Sequence, residues 1–80
     1  MDRKQAPDGP LELFVIYDHP KDYPGHFVVR RWFGTRWATI ATDDFALTDT
    51  IESARAEVPE GLVRIPHQTG EDPVIVETWI

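Results

Sequence analysis

The stretch that decides the fold spans residues 17–32 and reads Tyr17-Asp-His-Pro-Lys-Asp-Tyr-Pro-Gly-His-Phe-Val-Val-Arg-Arg-Trp32. It links two segments, residues 11–17 and residues 27–33, whose β-branched and aromatic content is typical of strands. Between these segments, Pro20, Pro24 and Gly25 interrupt any continuous ladder of backbone hydrogen bonds. The stretch therefore predicts two strands joined by a loop that is dense in ionisable side chains.

The two predicted strands differ in how they should be covered. In the first strand, Phe14 and Ile16 are apolar although they lie on the face opposite the other apolar side chains of the strand. Apolar side chains on both faces predict a central strand with both faces partly covered. In the second, alternation separates the side chains into one set, Phe27, Val29, Arg31 and Phe33, and an opposite set, Val28, Arg30 and Trp32. Because each face then carries an arginine, we expect either an exposed strand end or a bulge after Val29.

A helix is predicted after residue 48. Asp49 and Glu52 have the spacing of a capping box, with Asp49 as the N-cap, and Pro59 and Gly61 should end the helix. The apolar positions recur at helical spacing: Leu47, Ile51, Ala54 and Val58. The side chains on the opposite face of the helix are predicted to be exposed to solvent: Glu52, Arg55 and Glu57.

The remaining segments complete an α+β fold. Residues 37–42 form an optional edge strand, and residues 62–66 and 74–80 form an antiparallel hairpin. The last strand is expected to be an ordinary paired strand, and the alternative is an edge to which another chain adds a strand. The prediction is a single antiparallel sheet of four or five strands, in the order β-β-(β)-α-β-β, with one helix packed on one face. Residues 1–10 are expected to be a flexible lead-in to a single domain of residues 11–80.

Composition narrows the class of protein. The 80 residues carry a net charge of −6, with a balance of +1 over residues 1–42 and −7 over residues 43–80, which disfavours nonspecific binding to nucleic acid. The chain has no cysteine, no apolar leader at its start and no run long enough to span a bilayer. We therefore expect a cytoplasmic protein without a membrane segment.

Three strings in the chain suggest relatives. They are Y-D-H-P-K-D-Y-P-G-H-F-V-V-R-R-W, S-A-R-A-E-V-P-E-G-L-V-R-I-P and D-P-V-I-V-E-T-W-I. Over roughly residues 12–33 and 47–80 the chain resembles a group of short uncharacterised proteins predicted in bacterial and phage genomes. The resemblance implies a bacterial or phage source and a small cytoplasmic product, and it implies no activity.

The loop histidines are candidate metal ligands. Four ionisable side chains lie within nine residues, and a fifth lies in another loop: Asp18, His19, Asp22, His26 and His67. Imidazole and carboxylate groups bind zinc and similar divalent metals, yet no paired helical spacing is present. The alternative is a solvated loop whose aspartates bond backbone amides, and we expect no metal and no cofactor.

A second candidate is the arginine and aromatic segment of residues 30–37. It interleaves three arginines with three aromatic residues, namely Arg30, Arg31, Arg36, Trp32, Phe33 and Trp37. On one exposed face these would form a stacking platform for single-stranded nucleic acid. The alternative places the aromatic rings in the core and the arginines beside the acidic groups of the second half or of a protein partner.

The three tryptophans are the third candidate. One short helix covers one sheet face, so Trp32, Trp37 and Trp79 are expected to shield the other face or to form a partner surface. Glu77 is expected to form a structural cross-strand ion pair with Arg30 or Arg64, which would be worth well under about 1 kcal/mol if it is exposed.

The leading functional prediction is a small non-enzymatic interaction or regulatory module, either a monomer or a weak homodimer. No nucleophile elbow, phosphate loop or dinucleotide motif is present, and a core this small leaves little room for a catalytic cavity. The alternatives are binding of single-stranded nucleic acid through residues 30–37 and binding of metal through the loop histidines.

Overall fold

A computed structural model describes residues 11–80. The strands are β1 (Leu11–Asp18), β2 (Phe27–Gly34), β3 (Thr39–Thr48), β4 (Arg64–Pro66) and β5 (Ile75–Trp79), and the helix α1 is Ile51–Ala56. The strands form one antiparallel sheet in the order β3-β2-β1-β5-β4. The predicted α+β class is confirmed in its coarse form, although the helix has only six residues and most of the ordered structure is strand. The predicted lead-in of residues 1–10 lies outside the described residues.

Strand β1 occupies the centre of the sheet, as predicted. It pairs with β2 over its full length, from Leu11 opposite Gly34 to Asp18 opposite Phe27, and with β5 on its other side. The loop between β1 and β2 closes on itself, because the amide of His19 donates to the carbonyl of His26 at 3.0 Å. This hydrogen bond joins the two ends of the loop next to the sheet.

The core lies between the sheet and α1. Its buried members are Phe14, Ile16, Val29 and Ala54, and partly buried neighbours pack against them: Phe27, Ile51, Val58, Leu62, Val76 and Trp79. Three of the four residues predicted for the apolar helical face, Ile51, Ala54 and Val58, contribute to this core. Fully burying one such aliphatic side chain contributes about 1.5–3 kcal/mol, so a few contacts dominate a core of this size.

The prediction was wrong about the segment before the helix. Residues 43–48, including Leu47, belong to β3, which runs for ten residues along one edge of the sheet. Leu47 pairs with Val28 and Phe45 pairs with Arg30, and these cross-strand pairs outweigh the local helical pattern. The N-cap consequently shifts from Asp49 to Thr50, whose hydroxyl oxygen accepts from the amide of Ser53 at 3.0 Å.

Two expectations about register also need correction. The bulge in the β2–β3 pairing falls between Arg30 and Trp32 rather than after Val29. Strand β5 lies between β1 and β4, as expected of a paired strand, so the alternative of an open edge is wrong. An irregularity of its pairing opposite Ile16 and Tyr17 brings Val76 to the core. The predicted antiparallel pairing of β4 with β5 is confirmed. Within residues 11–80, no helix has the length and apolar character needed to cross a membrane.

Candidate functional site

The three tryptophans lie in three different surroundings. Trp37 is 83% exposed in the turn between β2 and β3. Trp32 points to the sheet face opposite α1, where its Nε1 donates to the Tyr17 hydroxyl at 3.1 Å. Trp79 packs against the core, and its Nε1 donates to Glu77 at 2.9 Å. The three rings therefore do not form a common surface.

The arginines of residues 30–37 are also separated. Arg31 extends to the side of the sheet away from Trp32, where its Nε lies 2.7 Å from Glu12 and its Nη1 lies 3.6 Å from Asp44. Arg36 stacks on Trp37 with its guanidinium carbon 5.5 Å from the ring centroid. Arg30 is on the opposite face of β2. The arrangement is not the single-faced platform that the nucleic-acid hypothesis required.

The first candidate surface is the hairpin tip, which we define as Phe33, Trp37 and Ile40 together with the turn of residues 34–38. Ile40 is 54% exposed and pairs with the half-buried Phe33 across β2 and β3. The Thr35 hydroxyl oxygen accepts from the amides of Trp37 and Ala38, each at 3.1 Å, and the Thr35 amide donates to the Ala38 carbonyl at 2.8 Å. The exposed indole is therefore presented by a turn with a defined backbone.

The second candidate surface is a cleft of about 580 Å³ on the helix-free face, which we call the sheet cleft. The sheet contributes Tyr17, Arg30 and Trp32 to its lining, because β-strand side chains alternate between faces. The loop between β1 and β2 contributes residues 19–23, including Tyr23, and the connection before β5 contributes Asp72. The sheet cleft thus combines aromatic rings with groups of both charges.

Arg30 and Tyr17 define the polar chemistry of the sheet cleft. The Arg30 guanidinium lies 4.9 Å from the centroid of the Phe45 ring and makes a long contact of 3.4 Å to the Thr42 carbonyl. Within residues 11–80 it has no carboxylate partner. Burial raises the pKa of the Tyr17 hydroxyl above its usual value of 10.0, although the Trp32 hydrogen bond and the Arg30 charge oppose this shift. Tyr17 is therefore a neutral hydroxyl at physiological pH.

The histidines that the sequence offered as metal ligands have separate partners. His19 bonds the neighbouring Asp18, its ring lies edge-on to Phe27 at 4.9 Å, and its backbone takes a positive φ of 50°. His67 Nδ1 lies 2.8 Å from the Ile75 carbonyl. In the part of the chain that the structure describes, no three histidine or acidic side chains are grouped closely enough to bind a metal ion.

His26 is near a different carboxylate. Its Nδ1 is shielded from solvent and lies 3.4 Å from the Asp49 carboxylate, without hydrogen-bond geometry to any described group. Asp22 and His19 both line the sheet cleft, but within residues 11–80 they are not part of a group of three side chains that could hold a metal ion. The five candidate ligands are therefore distributed over several places in the fold.

A buried carboxylate lies on the helix side of the sheet. Glu77 is 1% exposed and accepts from Arg55 Nε and Nη2, Arg64 Nε and Trp79 Nε1 at 2.9–3.0 Å. The hydrogen bond from Arg55, followed by those from Arg64 and Trp79, lowers the pKa of the Glu77 carboxyl from 4.5 to about 2, although burial opposes the shift. The predicted pairing with Arg64 is confirmed, whereas Arg30 lies on the other face. The Glu77 carboxylate is buried, so the small value given for an exposed pair does not apply.

Sequence reasoning missed part of the sheet cleft. Tyr17, Tyr23 and Asp72 were assigned no role in a site, although Tyr17 lies in β1 and Tyr23 in the loop that follows it. Their closeness in the sequence was the available signal for placing both rings at the same end of the sheet. Asp72 had no such signal, because its position depends on the pairing of β5 with β1.

Three comparisons with known proteins gave no match: no protein-family model, no curated protein sequence and no solved structure matches this chain.

Proposed function

We propose that this chain is a small, non-enzymatic protein-interaction module that binds an extended segment of a partner protein beside the hairpin tip and the edge of β3. The observation that carries the proposal is the 83% exposure of Trp37 on a structured turn. Tryptophan is strongly enriched among the residues that dominate binding energy at protein interfaces. Ile40 is also exposed on the same hairpin, and more than one exposed apolar side chain on an ordered hairpin favours a role in recognition.

The energetics suit a short recognition segment. A tryptophan ring buries about 150–250 Å², so desolvating Trp37 would contribute roughly 3–5 kcal/mol before the cost of association is subtracted. Ile40, on the neighbouring edge strand, adds apolar area on the same hairpin. Because Thr35 already fixes the turn, little conformational entropy is lost when the partner binds.

The edge of β3 supplies the backbone part of the interface. It is an outer strand of the sheet, and an extended peptide can add to such an edge through main-chain hydrogen bonds. The other outer strand, β4, has only three residues and includes Pro66, which makes it a poorer template. The proposed partner segment is therefore a strand that lies antiparallel or parallel to β3.

Charge narrows the chemistry of the partner. Asp43 and Asp44 are exposed within β3, and the second half of the chain carries a balance of −7. A segment that combines an aliphatic or aromatic side chain for Trp37 with basic side chains for the two aspartates would match this surface. A second copy of this acidic chain fits less well, since like charges would meet at the edge.

A displayed library of random linear peptides, selected on the tagged chain, tests the proposal. We expect enrichment of extended sequences with basic and apolar residues, and we expect Trp37→Ala to weaken the selected peptides at least about tenfold. The matched control is Val63→Ala, which removes a side chain that is 65% exposed beside the opposite edge. Peptides that bind Trp37→Ala as tightly as the natural chain, or no enrichment at all, would refute the proposal.

A separate titration addresses the nucleic-acid alternative. Because Arg30, Arg31 and Arg36 lie in three separate places, that hypothesis has less structural support. A fluorescent single-stranded oligonucleotide, titrated at low salt, is the direct measurement. Binding that weakens steeply with added salt and is lost in both Arg30→Ala and Arg31→Ala would favour it over a protein partner.

A further inference from the structure

Arg30 is placed differently from three other arginines of the described chain. Arg31, Arg55 and Arg64 each bond a carboxylate, whereas Arg30 has none among residues 11–80. The side chain is partly buried, in a protein that carries 14 acidic and 8 basic residues. Since a half-desolvated cation is costly without a counter-charge, the arrangement points to an anionic group supplied by a ligand.

Tyr17 provides a second donor to the same space. Its oxygen already accepts from Trp32 Nε1 at 3.1 Å, so its own hydroxyl hydrogen is available for another acceptor. Both Tyr17 and Arg30 line the sheet cleft. A guanidinium and a neutral hydroxyl together match a carboxylate, which accepts from both.

The rest of the lining narrows the ligand further. Trp32 and Tyr23 contribute aromatic rings, which favour a planar apolar group. The exposed Asp22 and Asp72 also line the cleft, together with Lys21, so a ligand that were purely anionic would meet negative charge as well as positive. A ligand with one negative and one positive group would pair with both the cationic and the acidic side chains that line the cleft.

We propose that the sheet cleft binds a small aromatic zwitterion of the α-amino acid class. Its carboxylate lies against the two donors, its ring against the two aromatic side chains, and its ammonium group near the two aspartates. The volume of about 580 Å³ is within the usual range for small-molecule sites and accommodates such a ligand. The proposal is independent of the hairpin tip and does not require a protein partner.

Amide NMR of the full, isotope-labelled chain tests this directly, with L-phenylalanine as the probe. We expect saturable shifts at Tyr17, Arg30 and the Trp32 indole, with a dissociation constant of about 0.1–1 mM, as is usual for so small a ligand. Phenethylamine lacks the carboxylate and phenylacetate lacks the ammonium group, and each should bind at least about tenfold more weakly. Absence of saturable shifts at about 10 mM phenylalanine, or equal binding of either analogue, would overturn the proposal.

Variants connect the binding to the named residues. Arg30→Gln should weaken phenylalanine binding at least about tenfold, and Tyr17→Phe should weaken it about threefold or more while keeping the ring. Arg36→Gln, which changes an arginine of the hairpin tip, is the matched control and should bind normally. If Arg30→Gln fails to fold, Tyr17→Phe decides alone, and unchanged binding by that variant would contradict the assigned site.

Discussion

Arg55 and Glu77, 22 residues apart in the chain, form a two-point hydrogen-bonded ion pair that joins the helix to the sheet. Arg55 Nε and Nη2 donate to the two carboxylate oxygens at 2.9 and 3.0 Å, and the Glu77 side chain is 1% exposed. This bond also raises the pKa of the Arg55 guanidinium. Since α1 is too short to be stable alone in water, the pair is one of the contacts that hold it on the sheet.

Replacing the carboxylate should therefore destabilise the fold. In Glu77→Gln the guanidinium groups of Arg55 and Arg64 lose their counter-charge, and we expect the free energy of unfolding to fall by about 3 kcal/mol. Urea unfolding followed by circular dichroism measures the change. Glu60→Gln, which alters an exposed glutamate in the following turn, is the control and should stay within about 0.5 kcal/mol.

The same group predicts a pH dependence. The pKa of Glu77 is about 2 in the folded protein and 4.5 as the ordinary value, so the folded state favours the ionised form. The stabilisation of the folded state by ionised Glu77 is complete above about pH 4.5 and is lost as the pH falls towards about 2. The stability difference between the natural chain and Glu77→Gln should shrink steadily over that window. A difference that stays constant down to about pH 2.5 would show that the charge of Glu77 is not responsible.

Thr50 and Asp49, at the start of the helix, should differ in how much they contribute to stability. Thr50→Ala removes the hydroxyl that accepts from the Ser53 amide, and it should lower the free energy of unfolding by about 1 kcal/mol. Asp49→Ala should cost less than about 0.5 kcal/mol, because the Asp49 side chain is 87% exposed and lies outside the cap. A larger cost for Asp49→Ala than for Thr50→Ala would support the capping box expected from the sequence.

Gly61 should be sensitive to a methyl group. Its φ of 92° lies in a region that residues with a Cβ rarely adopt, so Gly61→Ala should destabilise the protein by about 1 kcal/mol, as measured by thermal or urea unfolding. A Cβ at Gly25 would also meet no atom within 4 Å, and the φ of Gly25 lies outside the positive range. Gly25→Ala is therefore the matched control, and a similar cost in both variants would exclude backbone strain as the cause.

Replacing Trp37 and replacing Trp79 should have different effects on the free energy of unfolding. Trp37→Ala should change the free energy of unfolding by less than about 0.5 kcal/mol, because the ring is 83% exposed. Trp79→Ala should cost about 3 kcal/mol or more, since it removes core packing and a donor to Glu77. Acrylamide quenching gives a second check: the natural chain should show a strongly quenched component that is missing from Trp37→Ala, and equal quenching of the two proteins would contradict the exposure of Trp37.

Much of the fold was predictable because local patterns carry it. Alternation identified β1, β2 and the β4–β5 hairpin, and helical spacing correctly selected Ile51, Ala54 and Val58 for the core. The candidate surfaces were only partly predictable. The sequence pointed to Arg30, Trp32 and Trp37, but not to their separation onto different surfaces.

The sequence by itself determined the order of the elements, the centrality of β1 and the turns that end each strand, since alternation and proline or glycine chemistry act over a few residues. Only the tertiary structure decided that residues 43–48 pair with β2, that Thr50 caps the helix and that Arg55 reaches Glu77. These outcomes depend on cross-strand hydrogen bonds and on the burial of a charge, which involve residues far apart in the chain. Such contacts outweigh a local preference of about 1 kcal/mol, and for that reason no short window of sequence reveals them.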